Sequence, residues 1–82
     1  MKNYTLLLIT IISAFSFSSY AQQSKINNAD KNYHGYAYVD AIKTYEKVAA
    51  KGYKSEDMFK KLGNAYYFNS DFQNAAKWYG EL

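Results

Sequence analysis

The chain has 82 residues and a formal net charge of +3, from 10 basic residues, all lysine, against 7 acids; aromatic residues make up 20%, and there is no cysteine or proline. Without cysteine there are no disulfides and no lipid-modified cysteine. Lysines and acids are interspersed without a run, and no arginine is present to make bidentate phosphate or base contacts, so the composition argues against a nucleic-acid or anionic-membrane surface.

The first residues have the layout of a secretory signal peptide. Met1-Lys2 is a short positive start, Leu6–Phe17 is an apolar run of twelve residues, and Ser19-Tyr20-Ala21 puts small residues at the −3 and −1 positions of a cut after Ala21. A membrane-spanning helix needs about 18–20 apolar residues, whereas this run is shorter and carries Thr10, Ser13 and Ser16. The expected division is a signal peptide over 1–21 and a mature part over 22–82; a retained anchor and a buried helix are the alternatives. The mature part keeps nine lysines and all seven acids, for a charge of +2, and is small for a self-sufficient core.

Four helices are expected in it. Ile26, Ala29 and Tyr33 share a face, which predicts a short first helix over about 25–33, closed by His34-Gly35. Tyr38, Ala41, Ile42, Tyr45, Val48 and Ala49 form a clearer stripe over 38–51, with Glu46 placed to pair with Lys43 and Gly52 as the stop. Ser55 caps a third helix over 56–68, with Glu56 and Asp57 in its first turn, where negative charge suits the dipole. Asn69–Asp71 forms the next turn: Ser70-x-x-Gln73 fits a capping box and Asp71 is a competing cap. The last helix starts near Phe72 and reaches Leu82 in mid-helix, so the sequence reads as the N-terminal piece of something longer.

The stretch Phe59–Leu82 orders these elements. Phe59, Leu62-Gly63 and Tyr66, followed by Ala75 and Tyr79, keep the spacing W-x2-L-G-x2-Y … A-x3-F, with Phe for Trp and Tyr for Phe. Phe59, Leu62 and Tyr66 fall on one helix stripe. Gly63 and Ala75 are small where a neighbouring backbone must come close. Ala41-x3-Tyr45 repeats Ala75-x3-Tyr79 at an offset of 34 residues, as Tyr38 repeats Phe72 and Val48 repeats Leu82. On these residues the chain resembles the tetratricopeptide (TPR) repeat, and an unrelated helical hairpin is the alternative. The resemblance implies an all-α fold of antiparallel helix-turn-helix repeats: an atypical first repeat over about 22–54 and a second, truncated, over 55–82. Counting back 34 from Leu62-Gly63 and Tyr66 meets Asn28-Ala29 and Asn32, of which only Ala29 is suitable. The first helix therefore reads as a terminal repeat that solubilises one end of a solenoid. Repeat packing is expected to account for Ala41, Tyr45, Phe59, Leu62, Gly63, Tyr66, Phe72, Ala75 and Tyr79.

Catalysis finds little support. A single His, isolated glycines and no metal-ligand spacing leave no nucleophile pair, phosphate loop or metal set, so neither enzyme activity nor a cofactor is expected. His34 reads as a solvated turn residue. Tyr36, Tyr53, Tyr67, Phe68 and Trp78 read either as contacts between repeats or as a partner-binding or sugar-stacking surface. By resemblance, the inner groove that holds peptides in TPR arrays is lined here by Asp57, Lys60, Asn64 and Tyr67. Lys60 and Asn64, one turn apart, match a Lys-x3-Asn pair that some TPR proteins use to grip a peptide's terminal carboxylate; an exposed polar helix face is the plainer reading.

The string from Ala21-Gln22-Gln23 through Ala29-Asp30-Lys31, Tyr38–Val48 and Leu62–Tyr67 also resembles the N-terminus of large Gram-negative envelope proteins. Those carry TPRs, then a β-propeller, then an OmpA-like peptidoglycan-binding domain. This implies a non-catalytic, exported, outer-membrane-associated scaffold with protein or peptide partners in the periplasm. Membrane association would be indirect, and peptidoglycan contact would rest on domains outside these 82 residues. The alternative is a glycan-binding TPR module that uses exposed aromatics.

Overall fold

The computed structural model describes residues 21–82. The expected signal peptide therefore lies outside the described residues, apart from Ala21. The described residues form four helices and no strand: α1 over 21–34, α2 Tyr38–Ala50, α3 Glu56–Phe68 and α4 Phe72–Tyr79. The described residues are all-α, as their apolar periodicity predicts. Among the described residues no helix is long and apolar enough to cross a membrane.

Local chemistry sets most of the boundaries. Ser55, extended at φ −146°, caps α3 by accepting the Met58 N–H. Asp71, rather than Ser70, caps α4: its carboxylate accepts both the backbone and the side-chain N–H of Asn74. Ser70 is excluded as a cap because its φ is +62°, a left-handed value, whereas a cap residue is normally extended. Helix α2 has no side-chain cap; Ala37 occupies that position. Helix α1 is longer than the sequence suggests, its asparagines tolerated on exposed or half-buried positions. Helix α4 stops at Tyr79, and Leu82 is 59% exposed instead of repeating the burial of Val48.

The turns after α1 and α3 are one structure built twice. Tyr36 N–H bonds Tyr33 C=O and Ala37 N–H bonds Asn32 C=O; 34 residues later Ser70 bonds Tyr67 and Asp71 bonds Tyr66. Each is a Schellman closure with its left-handed residue at Tyr36 (φ +67°) or Ser70. The left-handed residue of the first turn is thus Tyr36, one position beyond the expected stop at Gly35.

These short turns fold α1 back on α2 and α3 back on α4. Asp30 meets Tyr45 and Tyr33 meets Tyr38 across the first pair; Phe59 stacks on Trp78 and Gly63 faces Tyr79 across the second. Helices α1 and α3 run parallel, since Asp30–Lys61 and Tyr33–Asn64 both bridge positions 31 apart. One core joins the pairs, with Tyr45, Val48, Met58 and Leu62 fully buried and Ile26, Ala29, Ala41, Ile42, Phe59 and Ala65 around them. Full burial of a side chain such as Leu62 contributes about 1.5–3 kcal/mol.

Candidate functional site

The side chains of α3 decide what its groove face can do. Asn64, half-buried, sits between three helices: its amide NH2 donates to Tyr33 Oη in α1 at 3.1 Å, and its carbonyl accepts the Tyr79 hydroxyl from α4. Asp30 does the same work in the first pair. It accepts the hydroxyl of Tyr45, which is wholly buried, and takes the Lys61 ammonium at 3.3 Å. Lys61 also reaches Asp57 one turn back at 2.9 Å. A further bond ties α2 to α3, from the Tyr66 hydroxyl to Glu46. Glu46 therefore serves this bond rather than the expected pair with Lys43.

Three of the tyrosines in these bonds, Tyr45, Tyr66 and Tyr79, are raised above the usual phenol range. Burial first, then the bonded Asp30 carboxylate, pushes Tyr45 far above the usual phenol range. Burial and then Glu46 push Tyr66 up to about 12. Burial, with Tyr33 and Tyr67 nearby, raises Tyr79. Burial alone would lower Lys61, but the bonds to Asp57 and Asp30 outweigh it and raise the ammonium.

Of the four expected groove residues, the structure leaves two available. Lys60 is exposed, with no ion pair among the described residues, and Tyr67 is 54% exposed. Asp57 is exposed but spends its carboxylate on Lys61, and the Asn64 amide is committed to Tyr33 and Tyr79. The expected Lys60–Asn64 grip on a carboxylate would thus compete with the bonds that hold three helices together. No metal-binding group of three or more His, Cys, Asp or Glu occurs among the described residues.

No protein-family model, no curated protein and no solved structure matches this chain. Its site is therefore read from its own geometry.

Apart from Tyr36, which is exposed and edge-on to Tyr38, the remaining aromatics divide into two sets. Tyr53 and Trp78 pack against the core, Trp78 stacked on Phe59 at 5.7 Å, beside an open cleft of about 340 Å³ that Lys77 and Glu46 also line. These two make contacts between elements. Tyr67, Phe68 and Phe72 are more than half exposed and cluster at the end of the second pair, where Tyr67 meets Phe68 and Phe72 edge-on. Phe72 was expected to be buried by repeat packing. It is 59% exposed because its counterpart Tyr38 is covered by Phe68 of the following pair, and no following pair lies over Phe72 among the described residues. His34 is exposed, as expected, with Tyr33 edge-on to its ring.

Sequence reasoning missed Asp30, Tyr33 and Glu46. The signal for Asp30 was present: counting back 34 from Asn64 lands on it, as counting back from Gly63 lands on Ala29.

Proposed function

We propose that this chain is a non-catalytic scaffold of TPR-like helix pairs that holds a protein or peptide partner in the cell envelope. The observation that carries this reading is the recurrence of one side-chain bond at the repeat period: Asp30–Tyr45 in the first pair and Asn64–Tyr79 in the second. A helical repeat needs its pairs held in one relative register so that the parallel first helices make a continuous face, and the Asp30–Lys61 and Tyr33–Asn64 bridges hold α1 and α3 in that way. On that face Lys60 is exposed, with no ion pair among the described residues, and the exposed Tyr67 ring stands two turns further along α3, a combination suited to an acidic or carboxylate-bearing segment. The resemblance of its sequence to the N-terminus of OmpA-family envelope proteins supports a periplasmic location for this scaffold, with any peptidoglycan contact made by other domains.

The test is a photo-reactive amino acid at position 60 of the chain expressed in a Gram-negative envelope. A discrete cross-linked protein in the periplasmic or outer-membrane fraction is expected, lost when free peptide partner competes. A chain confined to the cytoplasm, or one that yields no adduct at position 60, would overturn the reading.

A further inference from the structure

The turn between α1 and α2 departs from helical geometry at two residues. Gly35 still donates the helical bond to the Lys31 C=O, at 3.0 Å, and the Ala37 C=O already accepts the Ala41 N–H of α2, also at 3.0 Å. Between those bonds Tyr36 stands at φ +67° and Ala37 at φ −86° and ψ 67°. The left-handed region disfavours a residue with a Cβ, and the Tyr36 side chain is 80% exposed, with an edge-on contact to Tyr38. Moving both residues to right-handed helical values would remove that strain and join α1 and α2 into one helix over 21–50. Gly35 is a weak helix former but makes its helical bond already, and no proline stands in the way.

The seat under α1 tolerates the departure of its own helix. When Asp30 leaves, Lys61 keeps Asp57 at 2.9 Å; when Tyr33 leaves, Asn64 keeps the Tyr79 hydroxyl. The buried apolar side chains of α1 are Ile26 and Ala29. The core surface they uncover, and the Tyr45 hydroxyl that donates to Asp30, must then be covered again. The helix that fits carries a small residue at position 29, a carboxylate at 30 and a tyrosine at 33, which is α1 of a second copy.

We infer that two copies of this chain exchange α1, with Tyr36 as the hinge. Each joined helix lays its first half on the other copy, so that Asp30 of one meets Lys61 and Tyr45 of the other, and Tyr33 of one meets Asn64 of the other. Each copy thus completes the other's polar cluster. The turn at Ser70 has the same left-handed geometry, but opening it would strip the Phe59–Trp78 stack and the Tyr79 ring from Gly63, so the exchange belongs to α1. The dimer presents two α1–α3 faces and would hold a two-site partner bivalently. The exchange does not depend on what the scaffold holds, and cross-linking at position 60 tests that reading separately.

The test mixes equal amounts of 15N-labelled and 13C-labelled full chain, warmed at high concentration and cooled, with mass read by light scattering and contacts by isotope-filtered NOE. A dimer fraction that grows with concentration is expected, with NOEs between the Asn64 side-chain amide of one copy and the Tyr33 ring of the other. Tyr36→Gly accepts the left-handed turn and weakens the joined helix, and should lower dimer association by about tenfold or more. Tyr36→Ala removes the ring but keeps the strain, and should leave the dimer in place. Chains carrying Asp30→Lys and Lys61→Asp should combine one to one, because each sets like charges across its own seat and exchange restores opposite charges at both. The NOE in the unaltered chain decides the exchange even where a charge-reversed chain fails to fold. A chain that is monomeric at every concentration, a dimer without the Asn64–Tyr33 NOE between copies, or a Tyr36→Gly chain that dimerises as well as Tyr36→Ala would overturn the inference.

Discussion

Asp30 and Asn64, 34 positions apart, each accept the hydroxyl of the tyrosine 15 residues further on, Tyr45 and Tyr79. The acceptor differs, a carboxylate in one pair and an amide in the other, and so do the second partners. Asp30 adds the Lys61 ammonium, whereas Asn64 uses its own N–H to reach Tyr33. One repeat geometry is therefore kept with two chemistries. The amide is the more versatile of the two, because it both donates and accepts between α1 and α4.

This arrangement makes Asn64 costly to replace by an apolar residue and cheap to replace by its counterpart. Asn64→Leu leaves the Tyr33 and Tyr79 hydroxyls without their partner, a loss of about 2–3 kcal/mol for partly buried groups. Asn64→Asp keeps an acceptor for both hydroxyls and is expected to lose less than half of that. Tyr79→Phe alone should cost about 1 kcal/mol, and in the Asn64→Leu background less, because the bond is already gone. Urea denaturation of the four chains measures the coupling; strictly additive losses would show that the bond contributes nothing.

How much of this was legible in the sequence differs between helices. The limits of α3 followed from Ser55, the first-turn acids and the apolar stripe, all of which act within one turn. The burial of Ala41, Tyr45, Leu62 and Ala75 followed from helical spacing. The repeat offset marks Asp30 as the counterpart of Asn64, but its partners and the bonds of Tyr33 and Glu46 were not legible, because each reaches a different helix and depends on how the pairs stack. Phe72 misled for the complementary reason: its motif position is apolar, but whether it is buried is decided by the neighbour on its outer side. Gly63 was correctly expected to need a small residue, yet what approaches it is the Tyr79 ring and not a backbone.

A Cβ placed on Gly63 would lie 2.3 Å from two Tyr79 ring atoms. The ring cannot swing aside without giving up its bond to Asn64. Alanine is a better helix former than glycine by about 1 kcal/mol, but overpacking costs about 1–3 kcal/mol. Gly63→Ala is therefore expected to destabilise the chain by about 1–2 kcal/mol, the clash outweighing the propensity. In a Tyr79→Ala background the obstruction is gone, and the same substitution should stabilise by about 1 kcal/mol. Thermal melts of the two pairs of proteins check the reversal of sign; a stabilising Gly63→Ala in the unaltered chain would refute the steric account.

Stability is expected to be level from neutral pH to about 9 and to fall through the range of about 10 to 12, where unfolded tyrosines ionise. The folded chain holds Tyr66 protonated up to about 12, through burial and the bond to Glu46, and raises Tyr45, Tyr79 and Lys61 in the same direction. A group whose folded pKa is raised stabilises below its unfolded pKa, and that contribution is lost as pH climbs to the folded value. Lys25, lowered by the neighbouring Lys51, acts in the opposite sense from an exposed position. Helical circular dichroism followed in urea at a series of pH values tests this. Tyr66→Phe should reduce the alkaline slope, and an unchanged slope would remove Tyr66 from the account.

The uncapped start of α2 gives the clearest stabilising substitution. Ala37 is the counterpart of Asp71, and the two backbones agree: φ −86° and ψ 67° against φ −97° and ψ 78°. A side-chain acceptor at position 37 would therefore meet the Asp40 N–H as Asp71 meets that of Asn74. Aspartate is the wrong acceptor here, because Asp40 occupies the place of Asn74 and a second carboxylate beside it would be repelled. Serine caps without that charge. Ala37→Ser is expected to raise stability by about 1 kcal/mol, as capping side chains do, whereas Ala37→Asp should gain less at neutral pH and approach the serine variant once the carboxylates are screened by salt. Urea midpoints at low and high ionic strength separate the two. Equal gains at low salt would show that Asp40 does not oppose a charged cap, and no gain from serine would show that the Schellman turn at Tyr36 already holds the start of α2 as firmly as a cap can.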